Sequence, residues 1–347
     1  MKKSYLLIVS LLCVLATACN PEAAKEGEDA EASLTLYTHR HYEADQALIA
    51  QFTEETGIAV NVVNASADEL ILKMENEGEQ SPADVLITVD AGRLERAKSK
   101  GLFQSVSSPV LEENIPTHLR EQDNLWFAFT KRARLIAYDK ERGMPSGIAS
   151  YADLAAPEMA GKVLIRSSGN IYNQSLMAGI IANEGQEGAK AWAERVVANM
   201  ARPPKGNDRD QMKALVAGEG EVAVVNSYYL GHLLNSDDPA EVAVGERIGL
   251  LFPDQDGNGT HINVSGAGIA KYAPNKANAV KFIEFLSSPS AQALLASSNY
   301  EFPVNPEAET SALIASWGSF KEDTMALQKL GEFNKQAVLT FDEVGWQ

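Results

Sequence analysis

The stretch LTLYTHRHYEADQALIAQFTEETGIAVNVV, residues 34–63, indicates how this chain folds. Its apolar start, residues 34–37, predicts a buried strand. Residues 43–56 carry apolar side chains at helical spacing, and Gly57 follows as a C-terminal cap. Residues 58–63 are β-branched and predict a second strand. A strand–helix–strand unit of this kind is typical of an α/β protein with a largely parallel sheet.

The same alternation continues along the chain. Further strands are predicted at residues 83–89, within 125–139, and at 162–166, 221–226, 249–252 and 263–270. Further helices are predicted at residues 92–99, 174–183, 188–200, 208–217, 227–234, 276–287 and 289–297. Ser66 and Glu69 form a capping box before one helix, and Asp208 is predicted to cap another. The pattern indicates two α/β halves with several chain crossings, or one large domain, and 347 residues agree with two domains.

Composition narrows the class of protein. Hydrophobic residues make up 45% of the chain and there are 2 Cys, which excludes a disordered chain and a disulfide scaffold. With 47 acidic and 30 basic residues, the formal charge is −17. Because so acidic a chain repels phosphate backbones, we expect no nucleic-acid partner.

The N-terminus has the features of an export signal. Lys2 and Lys3 precede an apolar run and the small residues 16–18, so residues 1–18 are predicted to be a signal peptide. Cys19 follows, which resembles a bacterial lipoprotein signal and would make Cys19 the acylated N-terminus. The alternative is ordinary cleavage that leaves a free thiol. Residues 19–32 are rich in Glu and Ala and predict a flexible tether. We therefore expect a periplasmic or envelope protein whose contact with the membrane is through a lipid anchor at Cys19.

Phenols stand at three predicted strand-to-helix junctions. Tyr228 and Tyr229 follow one strand, His41 and Tyr42 follow another, and Tyr172 follows a third. Adjacent helix positions point about 100° apart, so one buried face cannot take both Tyr228 and Tyr229. At least one ring is expected to face a cleft at the end of a strand, where open α/β sheets bind ligands. The alternative is one core ring and one exposed ring.

A phenolate is a hard, anionic oxygen donor. Tyr ionises unaided only near pH ~10, and a highly charged cation such as ferric iron offsets that proton loss. The five His residues (39, 41, 118, 232 and 261) lack the compact spacing of a zinc site. Residues 254–259 lack the remaining spacing of a calcium loop and are interpreted as a turn.

Eight stretches in order carry a resemblance to a known family. They are YTHRHY (37–42), SPADV (81–85), FTKRAR (129–134), RSS (166–168), YNQSL (172–176), GND (206–208), NSYY (226–229) and GTHINVSG (259–266). Together they resemble the ferric-iron-binding proteins of bacterial ABC importers, and the match runs from residue 34 to residue 346.

This resemblance implies an α/β, two-lobed periplasmic-binding-protein fold (type II-like), with a mostly parallel sheet flanked by helices in each lobe and the ligand in the cleft between them. The lobes are expected at residues 33–132 plus about 263–308, and at residues 133–262 plus about 309–347. Carried over to this chain, the family's ligands are His41 and Tyr42 from one lobe, and Tyr172, Tyr228 and Tyr229 from the other.

Four phenolates would carry one negative charge more than ferric iron offsets, so either one Tyr keeps its proton or a nearby cation compensates. Arg202 is expected beside the phenolates, with Arg132 and Arg134 as further candidates, and a structural salt bridge is the alternative for each. Other branches of the family use a carboxylate and an anion such as carbonate. No equivalent carboxylate stands out in this sequence, so we expect an all-protein shell around Fe(3+), with Fe(2+) as an alternative oxidation state.

The implied role is capture of iron by a monomer and its delivery to the permease subunits of an ABC importer in the inner membrane. One alternative is a binding protein for a small organic solute such as a polyamine, a sugar or thiamine. A remote alternative is an exported hydrolase, but the chain has no G-x-S-x-G or H-E-x-x-H motif and no Cys nucleophile with a partner His. We therefore expect no enzymatic activity.

Overall fold

The computed structural model of this protein describes residues 32–347. The predicted signal peptide, Cys19 and all but the last residue of the predicted tether lie outside the described residues.

The described residues contain nine strands, which are β1 (Ser33–Thr38), β2 (Ala59–Asn64), β3 (Val85–Val89), β4 (Phe127–Asp139), β5 (Val163–Leu164), β6 (Val222–Asn226), β7 (Ile248–Leu251), β8 (Ile262–Ile269) and β9 (Phe302–Pro303). The helices are α1 (Glu43–Thr56), α2 (Ala67–Glu77), α3 (Ala91–Ser99), α4 (Pro109–Asn114), α5 (Ile171–Asn199), α6 (Asp208–Val216), α7 (Tyr228–Leu234), α8 (Pro239–Arg247), α9 (Lys276–Leu286), α10 (Pro289–Ser298), α11 (Ala312–Ser316), α12 (Gln328–Glu332) and α13 (Asn334–Glu343). The predicted α/β class is confirmed.

The strands follow the order β2-β1-β3-β8-β4-β6-β5, and β7 and β9 also pair with β4. The pairs β1–β2, β1–β3 and β5–β6 are parallel. The pairs of β3 with β8, and of β4 with β6, β7, β8 and β9, are antiparallel. The sheet is therefore more antiparallel than predicted, because β8 runs antiparallel to β3 and β4, and β4 runs antiparallel to β6, β7 and β9 as well.

Strand β4 joins two groups of strands. Its first half, up to Ala133, pairs with β8, and its second half, from Arg134, pairs with β6. We call β1, β2, β3, β8 and β9 the first strand group, and β5, β6 and β7 the second strand group. The predicted lobe boundary between residues 132 and 133 falls beside this change of partner, and the lobe boundaries themselves stay a prediction.

Local signals place several helix ends as predicted. Helix α1 has the predicted bounds and ends at Gly57, whose φ is 69°. Ser66 and Glu69 form the predicted capping box of α2. The helices predicted at residues 174–183 and 188–200 lie in the two parts of α5, which are separated by a kink at Gly185, where the backbone is not helical and φ is 75°.

Asp208 is not the cap of α6. The side chain of Asn207 accepts the hydrogen bonds from the first amides of that helix. Asp208 is fully buried instead, where its carboxylate accepts from the Asn226 amide at 3.0 Å, from Arg166 at 2.7 Å and from Arg134. It thereby ties the start of α6 to β4, to β6 and to the chain after β5, beneath the site described below.

Within residues 32–347, no helix combines the length and the apolar character that crossing a membrane requires.

His261 makes the stability of this fold depend on pH. Burial, reinforced by the nearby charges of Arg134 and Arg132, lowers its pKa to about 3. In the unfolded chain its pKa is about 6.5, so the unfolded state binds the extra proton and stability falls as the pH drops below that value.

We therefore expect wild type to lose about 2 kcal/mol of unfolding free energy relative to His261→Gln between pH 7 and pH 5. Urea unfolding of both proteins at the two pH values measures this difference. The pH-dependent contributions of the carboxylates cancel, because both proteins contain the same ones. A difference between the two proteins that stays constant with pH would contradict the assignment.

Candidate functional site

Three predicted phenols lie together. The hydroxyl of Tyr228 donates to the hydroxyl of Tyr172 at 3.2 Å. Tyr228 is the first residue of α7 and Tyr172 is in the first turn of α5, so each follows a strand of the second strand group. The ring centroids of Tyr228 and Tyr229 are 4.3 Å apart. The N-termini of α5 and α7 thus place three ring oxygens close together.

Tyr42 approaches the same place from the first strand group. It is the residue that precedes α1, and its backbone amide donates to Asp45 at 3.0 Å, which fixes the turn after β1. Tyr42, Tyr172 and Tyr228 line one cavity of about 100 Å³, whose remaining lining residues are His39, Arg40, His41, Val89, Arg132, Asn299 and Glu301. The cavity therefore draws on chain segments that are up to 260 residues apart.

His41, the predicted nitrogen ligand, is exposed at the cavity wall. Its ring stacks on that of Tyr42, with the centroids 5.2 Å apart, and its Nδ1 is 3.3 Å from the carbonyl oxygen of His39. The imidazole therefore lies at the solvent edge of the cavity, against the Tyr42 ring.

A second histidine, His232, lies among the same rings. Its ring centroid is 6.1 Å from that of Tyr42 and 5.9 Å from that of Tyr228. Burial lowers its pKa, and its buried Nε2 has no hydrogen-bond partner among the described residues. In the sequence, His232 was considered only for the spacing of a zinc site. It lies one helical turn after Tyr228 and Tyr229, and this spacing is the signal that would have placed it beside them.

The phenols are held in a poorly solvated environment. Burial, then the neighbouring Tyr172 and Glu301, raises the pKa of Tyr42. Burial and the adjacent phenols raise the pKa of Tyr228 well above its usual value, and burial raises that of Tyr229 as well. At neutral pH these three phenols are therefore protonated.

Arg132 supplies a positive charge beside the phenols. Its side chain is only 2% exposed, and its Cζ lies 5.1 Å from the ring centroid of Tyr172. None of its three guanidinium nitrogens has a hydrogen-bond partner among the described residues. Buried charges are ordinarily paired, so these donors are available to anionic oxygens at the cavity.

The other two predicted arginines lie in different surroundings. Arg134 pairs with Asp208 and donates to Asn173 at 2.7 Å, which is a buried structural ion pair. Arg202 donates to Glu219 at 2.7 Å and to Gln211 at 3.2 Å, and none of its hydrogen bonds in the described part of the chain is to a tyrosine.

A carboxylate that the sequence did not single out also reaches the cavity. Glu301 is 2% exposed and accepts from Arg40 at 3.0 Å and from Asn299 at 2.7 Å. Burial raises its pKa, but the charge of Arg40 outweighs this, so the pKa of Glu301 lies below its usual value. Glu301 therefore fixes Arg40, the residue that begins the turn to His41 and Tyr42. Because Glu301 lies far from that turn in the sequence, no local motif indicated this role.

In the part of the chain that the structure describes, no three His, Cys, Asp or Glu side chains form a group able to hold a metal ion. A cation at this cavity would therefore depend on the phenols, and phenolate oxygen is a donor for hard cations.

Comparison with known proteins agrees with this fold. Residues 80–318 match the family model described as bacterial extracellular solute-binding protein. Iron uptake protein A1 of Synechocystis is 49% identical over 327 residues, which are 94% of this chain and 90% of that protein.

Two solved structures are also similar. A Trichodesmium protein in complex with iron and citrate ligands is 46% identical with a TM-score of 0.88, covering 91% of this chain and 100% of that one. The ferric binding protein from Campylobacter jejuni is 48% identical with a TM-score of 0.86, covering 90% of this chain and 100% of that one. The chain therefore belongs to the bacterial extracellular solute-binding proteins.

Proposed function

We propose that this protein captures ferric iron at the cavity and delivers it to the permease of an ABC importer. The observation that carries the proposal is the 3.2 Å contact between the hydroxyls of Tyr228 and Tyr172. Beside it lies the guanidinium of Arg132, which has no hydrogen-bond partner within residues 32–347. Tyr42 and Tyr229 complete the set of phenols, and His41 supplies nitrogen. The ion replaces the phenolic protons and binds the oxygens that remain.

Charge supports a trivalent cargo. Four phenolates carry one negative charge more than ferric iron offsets, and Arg132 compensates the excess. The Cζ of Arg166 lies 5.9 Å from the Tyr172 ring centroid. Because Arg166 and Arg134 share the single carboxylate of Asp208, this group keeps one net positive charge. Ferrous iron would require more of the phenols to keep their protons, which is the alternative cargo at the same site.

The size of the cavity supports an ion over the organic-solute alternative. Pockets for drug-sized ligands usually measure about 300–1,000 Å³. The cavity between Tyr42, Tyr172 and Tyr228 is about 100 Å³, which suits an ion with its donor atoms. A polyamine, a sugar or thiamine would need a larger space.

The relatives support the rest of the proposal. Iron appears in the names of the Synechocystis, Trichodesmium and Campylobacter jejuni matches, or in the description of their ligands, and these matches cover nine-tenths or more of this chain. We propose a periplasmic or envelope monomer of two lobes that closes when iron joins the phenols of one lobe to Tyr42 and His41 of the other. Such closure is limited by the difference in the ion's affinity for the two states.

The first prediction concerns colour. Adding ferric citrate to the purified apo-protein should produce a visible phenolate-to-iron charge-transfer band, because the charge of the ion stabilises the ionised phenols. The double variant Tyr228→Phe, Tyr229→Phe should lose most of this band. Tyr272→Phe, a change at an exposed ring, is the matched control and should keep it. Wild type that is colourless and free of iron after desalting would reject the proposal.

The second prediction concerns protons. Since the apo phenols are protonated at neutral pH, iron binding should release about one proton per phenol that ionises and should strengthen by about tenfold per pH unit for each. Titration with ferric citrate in weak buffer, corrected by a protein-free blank, measures the release. The Tyr228→Phe, Tyr229→Phe variant should release about two fewer protons. Equal release from both proteins would remove these phenols from the site.

The third prediction concerns Arg132. Replacing it with Met keeps an unbranched apolar stem but removes the guanidinium charge that compensates the phenolates. Iron affinity, measured by competition with citrate, should fall about 10–100-fold, as is usual for groups that support metal ligands. Arg202→Met is the matched control and should change affinity little, because Arg202 pairs with Glu219. If the two variants lost affinity equally, the assignment of charge compensation to Arg132 would fail.

A further inference from the structure

Tyr300 has an unusual backbone conformation close to the site. Its φ is 57°, in the left-handed region that an aromatic residue rarely adopts. Residues held in this region persist where the surrounding structure over-determines them, and they cluster at functional sites. The surroundings of Tyr300 therefore indicate what holds it there.

The residues on both sides of Tyr300 are anchored to the first strand group. The Asn299 amide donates to the carbonyl of Leu295 at 2.9 Å, at the end of α10, and its side chain donates to Glu301 at 2.7 Å. Glu301 in turn binds Arg40 at 3.0 Å, and the Cζ of Arg40 lies 5.7 Å from the ring centroid of Tyr42. The backbone of Tyr300 is thus fixed to the side of the cavity that carries Tyr42.

The ring of Tyr300, by contrast, lies against the helix that carries Tyr228 and Tyr229. A Cβ added to Gly231 would be 2.2 Å from the Cγ of Tyr300 and 2.5 Å from its Cδ2. Gly231 has an ordinary helical conformation, so glycine is needed at this position for space. The next residue, His232, meets the Tyr300 ring edge to face, with the centroids 5.5 Å apart.

His232 extends this contact to the phenols. Its ring centroid lies 5.9 Å from that of Tyr228 and 6.4 Å from that of Tyr229. Tyr300 therefore spans from the side that carries Tyr42 to the helix α7 that carries two of the proposed ligands, although its own hydroxyl has no hydrogen bond among the described residues.

We propose that Tyr300 is a positioning residue that sets how closely α7 approaches Tyr42. Its ring rests on the bare backbone of Gly231, and this contact holds the phenols of α7 at the spacing that a single ion requires. The strained backbone of Tyr300 keeps its ring aimed at Gly231. This inference rests on the proposed iron capture and adds a residue that does not itself touch the ion.

The variant Gly231→Ala tests this spacing. Alanine is a better helix former than glycine, so α7 itself is not weakened. The added methyl group, however, collides with the Tyr300 ring and should hold α7 away from Tyr42. We expect affinity for iron, measured by competition with citrate, to fall at least tenfold. The unfolding midpoint of the apo-protein should stay close to that of wild type. Gly188→Ala, at an exposed position in α5, is the matched glycine control and should leave affinity unchanged.

A double-mutant cycle separates spacing from damage to α7. Tyr300→Gly removes the ring and relieves the backbone strain, so it should not destabilise the apo-protein, but it should speed iron dissociation. In the Tyr300→Gly background, Gly231→Ala should cost no further affinity because the collision is gone. An equal cost of Gly231→Ala in both backgrounds would overturn the inference, as would an iron dissociation rate for Tyr300→Gly equal to that of wild type.

The outcomes also distinguish this inference from the proposed function. Wild type that binds no iron would reject both. Wild type that binds iron, together with a Gly231→Ala variant of unchanged affinity, would reject the role of Tyr300 and leave iron capture standing.

Discussion

The site depends on an electrostatic mismatch that the folded chain cannot resolve by itself. Burial raises the pKa of Tyr228 well above its usual value, so the phenol is neutral at physiological pH. Beside it, the buried guanidinium of Arg132 has no hydrogen-bond partner among the described residues. A buried charge without a partner is unfavourable, and so is a buried phenol that ionises with no cation beside it. A trivalent cation that ionises the phenols would offset the second cost and would create anionic oxygens for Arg132.

The fold prepares this arrangement with a rigid support. Asp208, fully buried, binds Arg134 and Arg166 and accepts the amide of Asn226, the last residue of β6. Since Tyr228 follows Asn226 by two residues, the position of its ring is set by this buried ion pair. Tyr42 and Tyr172 lie at the starts of α1 and α5, where the helix dipole favours negative charge. The same local geometry thus places the phenols and lowers the cost of ionising them.

The structure also places beside the phenols two side chains that the sequence does not single out, His232 and Glu301. Arg202, which the sequence predicts beside the phenolates, pairs with Glu219. The reason is physical: sequence motifs identify residues that precede a helix, but not residues that a distant segment brings to face them. The Tyr300–Gly231 contact has the same origin. It joins segments that are about 70 residues apart in the sequence, and no local pattern predicts that they will touch.

Local patterns in the sequence were sufficient to determine the α/β class, the bounds of α1, the capping box of α2 and the positions of the phenols at strand-to-helix junctions. These features depend on side-chain periodicity and on backbone caps, which act over a few residues. Only the tertiary structure decided the antiparallel course of β4 and β8, the burial of Asp208 and the isolation of Arg132. Those features depend on hydrogen bonds and desolvation between segments far apart in sequence, and their energies exist only after the chain has folded.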